Sequence, residues 1–220
     1  MAEGGPPQGP IKLVILPRTR VGLGRDGLRR HLEAIHGPMV VGEADVSGRF
    51  VSYVHHYAQD MPAVPGAKVL ADRDAVTIIR FASLADMVAS KASDAYRDRV
   101  GPDEDNFREL DGSIALFADE TVVAPGIEQA ERKLFVFRSH AANVPDAWAK
   151  ALAAEAGLTG VVTNQARVVE GGFRYVQFDE IGLSAAADPA LVIARLAGLA
   201  RAHFDDCETG LVLAEPVRFI

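Results

Sequence analysis

The segment KLVIL at residues 12–16 has a counterpart in KLFVF at residues 133–137, and each segment opens one half of the chain. In the first half, β-branched and aromatic runs predict strands at 11–16, 49–59, 76–81 and 114–123, and apolar residues at helical spacing predict helices at 25–36 and from 83 onward. In the second half, the same patterns predict strands at 133–137, 160–169, 172–178 and 211–219, and helices at 145–156 and 188–204. Both halves therefore have the order β-α-β-β-α-β, which is that of a ferredoxin-like unit.

The duplication suggests how the two halves pack. The helices of such a unit cover one face of its sheet and leave the other apolar face exposed. Two units in one chain can cover these faces by bringing their sheets together. We therefore predict an α+β protein whose duplicated ferredoxin-like β-α-β-β-α-β units, at residues 11–125 and 131–220, form an intramolecular dimeric α/β barrel. The space between the sheets is the predicted ligand cavity, and Pro38 is predicted to end the first helix.

Composition and charge limit the classes of partner. The chain has 220 residues, 49% of them hydrophobic, and a formal net charge of -7. Because no basic cluster is present, nucleic acid is not expected as a partner, and a small-molecule substrate is. No apolar run is long enough to span a membrane, so we predict a cytoplasmic protein without a membrane partner and with a disordered tail at residues 1–10. A homodimer, if one forms, would use an outer surface of the barrel.

The sequence lacks the usual signatures of metals and cofactors. Cys207 is the single cysteine, which excludes an internal disulfide and any zinc site with two thiolates. The glycines of GLGRDG at residues 22–27 fit the spacing of a dinucleotide fingerprint. However, five residues separate them from the preceding strand, and paired strands follow instead of alternating strands and helices. We predict no cofactor and no metal site.

The second strand contains the most distinctive side chains. Alternation places Tyr53, His55 and Tyr57 on one face and Val54 and His56 on the other. We predict that the first face lines the cavity between the sheets, because Phe50 and Val54 would then pack under the helices as an apolar pair. A histidine between two tyrosines offers a proton acceptor near neutral pH beside phenolic donors. His55 and Tyr57 are thus candidate catalytic residues, and Tyr53 is a candidate substrate-binding residue.

Two further charged residues are candidates for binding substrate. Arg80 shares a strand face with Val76 and Ile78, and its guanidinium could hold a carboxylate or phenolate. A salt bridge at the end of the strand is the alternative. Asp105 could orient a histidine, or could be a solvated residue of an acidic loop.

The first half of the chain resembles the EthD family of dimeric α/β barrel proteins. The resemblance rests on IKLVILPR at residues 11–18 and on GRDGLRRHLEAIHGPMV at residues 24–40, whose His-Gly-Pro is its most specific feature. DEDNFREL at 103–110 and FADETVV at 117–123 extend it to about residue 125. His36, which could otherwise only cap the helix end, is therefore also a candidate catalytic residue at the cavity mouth. The second half has no His-Gly-Pro and is similar only in the order of its elements.

The resemblance implies a role in the metabolism of small organic molecules. Relatives with this fold include cofactor-independent lyases, dehydratases, cyclases and isomerases of aromatic or polyketide-like compounds. We therefore expect such an enzyme, using histidine and tyrosine for acid-base chemistry. The alternatives are a non-catalytic small-molecule-binding accessory protein of a degradative or biosynthetic pathway and, less favoured, a haem-binding oxidase of the same fold.

Overall fold

The computed structural model describes residues 9–169 and 174–220. Its strands are β1 (Ile11–Thr19), β2 (Phe50–Ala58), β3 (Lys68–Val69), β4 (Ala75–Phe81), β5 (Arg108–Ala124), β6 (Arg132–Arg138), β7 (Leu158–Val169), β8 (Gln177–Leu183) and β9 (Thr209–Arg218). Its α-helices are α1 (Gly24–His31), α2 (Gly37–Gly42), α3 (Ala44–Ser47), α4 (Leu84–Ala92), α5 (Gly101–Phe107), α6 (Pro145–Ala153) and α7 (Pro189–Ala200). Two π-helical turns, at Leu32–His36 and Tyr96–Val100, and a 3-10 turn at Ile127–Gln129 complete the helical elements of this part of the chain.

The long strands form a closed antiparallel barrel. Strands β2, β4, β1 and β5 lie side by side in that order and form the first half-barrel. Strands β7, β8, β6 and β9 form the second half-barrel in the same way. The halves join where β5 pairs with β7 and where β9 pairs with β2. The predicted fold, two ferredoxin-like units forming an intramolecular dimeric α/β barrel, is confirmed; the division into separate domains at residues 125–131 stays a prediction.

Side chains fill the inside of the barrel. Phe135, Phe137 and Phe178 pack there against Val14 and Ile78, all almost fully buried. An eight-stranded barrel is just wide enough for such side chains to fill it. The middle of the space between the two sheets, which was predicted to be a ligand cavity, is therefore filled by side chains of the hydrophobic core.

One end of the barrel interior is charged. Lys12 Nζ contacts Glu180, lies 3.0 Å from Glu120 Oε2 and donates to Asn164 Oδ1 at 2.7 Å. Lys133 Nζ lies 3.3 Å from the other oxygen of Glu180. Although burial raises the pKa of Glu180, the two ammonium groups outweigh it and hold that pKa below its usual range. The buried carboxylate is therefore ionised and paired.

The helices cover the outer faces of the two half-barrels. Trp148 of α6 and Leu196 of α7 are buried against the second half-barrel, and Leu28 of α1 is buried against the first. Helix α4 begins as its sequence predicts, since the Ser83 side chain accepts a hydrogen bond from the Asp86 amide at 3.1 Å. Among the described residues, no helix combines the length and the apolar character needed to span a bilayer.

Several element boundaries differ from the predictions. The first helical segment does not end at Pro38, because the chain continues into α2 with this proline in its first turn, where the missing N–H costs nothing. Residues 103–111, expected to form a loop or a short helical turn, are divided between α5, which ends at Phe107, and the start of β5. Strand β8 covers residues 177–183, whereas the predicted strand at 172–178 begins at residues outside those described. Residues 1–8 of the predicted disordered tail also lie outside them.

Candidate functional site

A small cavity lies between the outer face of the first half-barrel and the helices that cover it. Its volume is about 60 Å³, enough for a few water molecules. Most of the wall is apolar and includes Ile15, Leu32, Val40, Phe50, Ile79, Phe81 and Phe107. The polar side chains that reach it include His36, Tyr53, His55, Thr77, Glu104 and Arg108. We call this space the first cavity.

The two π-helical turns both contribute to the first cavity, and the sequence explains where they form. Each is followed by a Gly-Pro pair, at Gly37-Pro38 and at Gly101-Pro102. In each turn the glycine amide bonds the carbonyl five residues earlier, that of Leu32 or Tyr96. The following proline has no N–H to continue the regular helical pattern. π-Helical turns of this kind occur frequently at functional sites.

His36, at the end of the first π turn, pairs with Asp103 of α5. His36 Nδ1 lies 2.9 Å from Asp103 Oδ2, and both side chains are about nine-tenths buried. Because burial disfavours the imidazolium, the pKa of His36 lies below its usual value, although the hydrogen bond with Asp103 opposes this shift. An ionised carboxylate can only accept, so Nδ1 carries the ring proton. Nε2 is then left as a proton acceptor, with no hydrogen-bond partner in residues 9–169 and 174–220.

Asp103 is held by further donors. His31 Nε2 lies 3.0 Å from Asp103 Oδ2, and Asn106 Nδ2 donates to Oδ1 at 3.0 Å. Burial raises the pKa of Asp103, but the hydrogen bonds from Asn106 and the two histidines outweigh it and leave this pKa below its usual value. The Phe107 ring packs against both imidazoles, with its centroid 4.7 Å from that of His36. Asp103 is therefore an ionised carboxylate that fixes the His36 ring.

A second hydrogen-bonded group crosses the floor of the cavity. Tyr53 Oη lies 2.7 Å from His55 Nε2, and His55 Nδ1 lies 2.7 Å from Thr77 Oγ1. Burial raises the pKa of Tyr53 well above its usual value and lowers the pKa of His55 to about 3. We assign Tyr53 as the donor to a neutral His55, which in turn donates to Thr77. His55 has both nitrogens engaged and is a poorer base than His36.

An acidic and a basic residue complete the polar wall. Glu104 Oε1 accepts a hydrogen bond from the Tyr96 hydroxyl at 2.9 Å, and its other oxygen pairs with Arg108. Both residues of this pair are mostly buried. The Arg108 guanidinium, paired with the Glu104 carboxylate, is thus held in place at the cavity wall.

The structure brings together three of the six residues predicted for the site. His36, Tyr53 and His55 all line the first cavity, although they lie between sheet and helices and not between the two sheets. Tyr57 lies on the same strand face but is buried under α1, with the Arg29 guanidinium 4.9 Å from its ring. Their catalytic and binding roles stay predictions.

The predicted orientation of β2 is wrong, and a β-bulge explains why. Val54 and His56 face the barrel interior, where the His56 ring lies 5.1 Å from that of Phe135. The register of β2 against β4 shifts between Phe50 and Ser52. The shift places Phe50 on the face of Tyr53, with ring centroids 5.7 Å apart. Phe50 and Val54 therefore do not form the apolar pair on which the prediction depended.

The two charged candidates lie outside the first cavity. Arg80 shares a face with Val76 and Ile78 as predicted, but this face is the barrel interior, where Arg80 pairs with Glu120 at 2.9 Å and Glu128 at 3.4 Å. Asp105 is exposed on α5, and its backbone carbonyl accepts a hydrogen bond from Arg20. The acidic residue that orients a histidine is Asp103, not Asp105.

Asp103, Glu104, Arg108 and Thr77 were not predicted as site residues. The available signal was the acidic run at residues 103–105, within a stretch that was predicted to be a loop or a short helical turn. The second Gly-Pro pair places Asp103 in the first turn of α5. Within the described residues, no group of three or more histidine, cysteine, aspartate or glutamate side chains is arranged to hold a metal ion.

Comparison with known proteins agrees with this fold. Residues 20–111 match the model of the EthD domain. The matched segment contains both π turns and the pair His36–Asp103, and the predicted resemblance to the EthD family is confirmed. The comparison with curated proteins gives no match.

Solved structures of similar fold extend over both half-barrels. An anthrone oxidase-like protein is 11% identical with a TM-score of 0.55, covering 97% of this chain and 94% of its own. A provisionally assigned monooxygenase of Lactobacillus acidophilus NCFM is 10% identical with a TM-score of 0.53, covering 96% and 95%. A provisionally assigned chlorite dismutase is 11% identical with a TM-score of 0.53, covering 95% of both chains. At these identities, the similarity establishes the fold alone.

Proposed function

We propose that the protein is a cofactor-independent enzyme, a lyase, dehydratase, cyclase or isomerase, that acts on a small aromatic or polyketide-like metabolite in the first cavity. The observation that carries this proposal is the hydrogen bond between His36 Nδ1 and Asp103 Oδ2 at 2.9 Å. A carboxylate in this position fixes the ring and its tautomer, so that Nε2 can accept a proton. A purely structural histidine would gain nothing from an unpaired nitrogen in an apolar cavity.

The proposed reaction begins with proton removal. A C–H beside a substrate carbonyl loses its proton to His36 Nε2, and the electron pair of the broken bond moves onto the carbonyl oxygen. Asp103 stabilises the imidazolium that forms. The imidazolium then returns the proton to the substrate at another carbon, or to a leaving hydroxyl, which completes an isomerisation or a dehydration.

The negative charge on the substrate oxygen needs stabilisation. Arg108 brings a fixed guanidinium to the cavity wall, and preorganised positive charge in a dry site is effective at stabilising an oxyanion. The hydroxyls of Tyr53 and Thr77 lie on the opposite, sheet side of the cavity. In this proposal Arg108 stabilises the oxyanion, and the chain Tyr53–His55–Thr77 positions the substrate.

The substrate class follows from the wall and from the EthD resemblance. The rings of Phe50, Phe81 and Phe107 line the cavity and suit a flat apolar molecule. At about 60 Å³, the described state is smaller than the roughly 300 Å³ or more of typical small-molecule sites. Substrate entry therefore requires the helical cover, which contains both π turns, to move away from the sheet.

A non-catalytic small-molecule-binding accessory protein would use the same cavity. The discriminating experiment measures solvent deuterium uptake by a panel of aromatic and polyketide-like ketones and hydroxyketones in D₂O, by mass spectrometry. The proposal expects uptake with the wild type and a rate at least about 10²-fold lower with His36→Gln. His140→Gln, at an exposed position, is the matched control. Compounds that bind without exchange or turnover would favour the accessory role.

A further inference from the structure

A second, larger cavity lies against the outer face of the second half-barrel. Its volume is about 470 Å³, within the range of small-molecule sites. Leu134 and Val136 of β6 and Ile193 and Leu196 of α7 form an apolar wall. Residues 64–67 of the first half-barrel lie at its edge. We call this space the second cavity; it shares no lining residue with the first.

One buried cation, Arg138 at the end of β6, reaches the wall of the second cavity. Its side chain is 3% exposed. The guanidinium carbon lies 4.9 Å from the centre of the Trp148 ring and 4.4 Å from that of Phe204. Contacts with two aromatic rings, together with a buried ion pair to Asp179, hold the guanidinium in one orientation.

The hydrogen bonds of Arg138 leave part of the guanidinium without acceptors. Nη2 donates to Asp179 Oδ2 at 3.4 Å, a long contact, and the same carboxylate oxygen accepts from Trp148 Nε1 at 3.2 Å. Nε is buried and has no hydrogen-bond partner among the described residues. A guanidinium has five N–H donors, and a buried charged donor left unpaired is costly.

From this geometry we propose that the second cavity binds a small carboxylic acid with an apolar body, in its ionised form. The carboxylate would accept a hydrogen bond from Nη1 of Arg138, which has no hydrogen-bond partner among the described residues and, unlike Nε, is not sealed off from the cavity. The apolar body would lie against Ile193 and Leu196. A neutral apolar molecule would leave the Nη1 donor of Arg138 unpaired. The site is separate from His36 and Asp103 and does not depend on the proposed reaction.

The chain contains its own reporter for this site. Trp148 is the single tryptophan, and its ring contacts Arg138 directly. Titration of the purified protein with octanoate at pH 7.5 should therefore change the tryptophan fluorescence. Octanamide, which has the same chain length but no charge, should bind about tenfold more weakly or worse, because it cannot pair with the guanidinium.

Variants distinguish this site from nonspecific apolar binding. Arg138→Gln should remove the preference for octanoate over octanamide. Ala200→Phe places a ring in the second cavity and should abolish binding of both compounds, whereas Ala194→Phe on the exposed side of the same helix should not. Thermal unfolding checks that each variant folds. If Arg138→Gln does not fold, the proposal is still tested by comparing octanoate with octanamide and Ala200→Phe with Ala194→Phe.

Three results would overturn the proposal. They are an absence of octanoate binding, equal affinity for octanoate and octanamide, and octanoate binding that persists in Ala200→Phe.

Discussion

The ring of Phe219, which follows the last strand of the second half-barrel, lies directly against Gly37 of the first. A Cβ atom at position 37 would lie 2.3 Å from that ring. The same ring packs against Tyr53 and His55, with centroids 5.4 and 5.2 Å away. Tyr53 also exchanges backbone hydrogen bonds with Phe219 and Ile220. The glycine of His-Gly-Pro is therefore required for Phe219 to pack against Tyr53 and His55, two residues of the cavity wall.

Gly37→Ala should destabilise the protein by about 1–3 kcal/mol, because the added methyl group has no space beside Phe219. Gly42→Ala is the matched control in the same helix, since a Cβ there meets nothing within 4 Å, and it should be neutral or slightly stabilising. Urea unfolding measures both. Equal effects of the two substitutions would show that the contact with Phe219 does not restrict position 37.

Asp103→Asn should lower turnover by at least about 10²-fold once a substrate is known, because the amide no longer fixes the His36 tautomer. Asp105→Asn, two residues along on the exposed side of α5, should leave turnover unchanged. Steady-state kinetics of the two variants makes the comparison. A similar loss in both variants, or in neither, would remove Asp103 from the proposed mechanism.

The pH dependence of kcat/KM should have an acid limb below pH 6.5. Burial lowers the pKa of His36 below its usual value, and only the neutral ring accepts a proton, so activity is lost as the pH falls through that lowered pKa. His55, with a pKa of about 3, contributes nothing to the profile near neutral pH. An acid limb centred above pH 6.5 would be inconsistent with His36 as the base.

Glu180→Gln should destabilise the protein by about 3–5 kcal/mol at pH 7, because Lys12 and Lys133 lose their buried counterion. The folded-state pKa of Glu180 is below its unfolded value near 4.5. Its stabilising contribution is therefore complete above about pH 4.5 and decreases at lower pH. The difference in unfolding free energy between wild type and variant should shrink accordingly. Glu128→Gln, at a partly exposed salt bridge, should cost no more than about 1 kcal/mol.

Much of the fold could be predicted from the sequence because hydrophobic periodicity and element order are local signals. The KLVIL and KLFVF strands occupy equivalent positions in the two half-barrels, since β1 lies between β4 and β5 and β6 lies between β8 and β9. Ser83 caps its helix, as its spacing from Asp86 indicates. The filling of the barrel interior by the side chains of Phe135 and Phe137 could not be predicted, because it depends on the distance between the two sheets.

The sequence predicted some residues of the candidate site but not the sheet face on which they lie or the carboxylate that orients His36. Alternation correctly grouped Tyr53 with His55, but a bulge at residues 50–52 is not visible in the sequence, so the group was assigned to the wrong side of the sheet. Asp103 and Asp105 differ by two positions in an acidic run, and only the helix geometry of α5 distinguishes the buried carboxylate from the exposed one.

The most direct test of the proposed site is the protonation state of His36. Nitrogen-15 NMR at pH 7.5 reports which imidazole nitrogen carries the proton, and His36→Gln assigns its signals among the six histidines. We predict a neutral ring with its proton on Nδ1 and a bare Nε2. A proton on Nε2, or an imidazolium at this pH, would contradict the assignment of His36 as a general base oriented by Asp103.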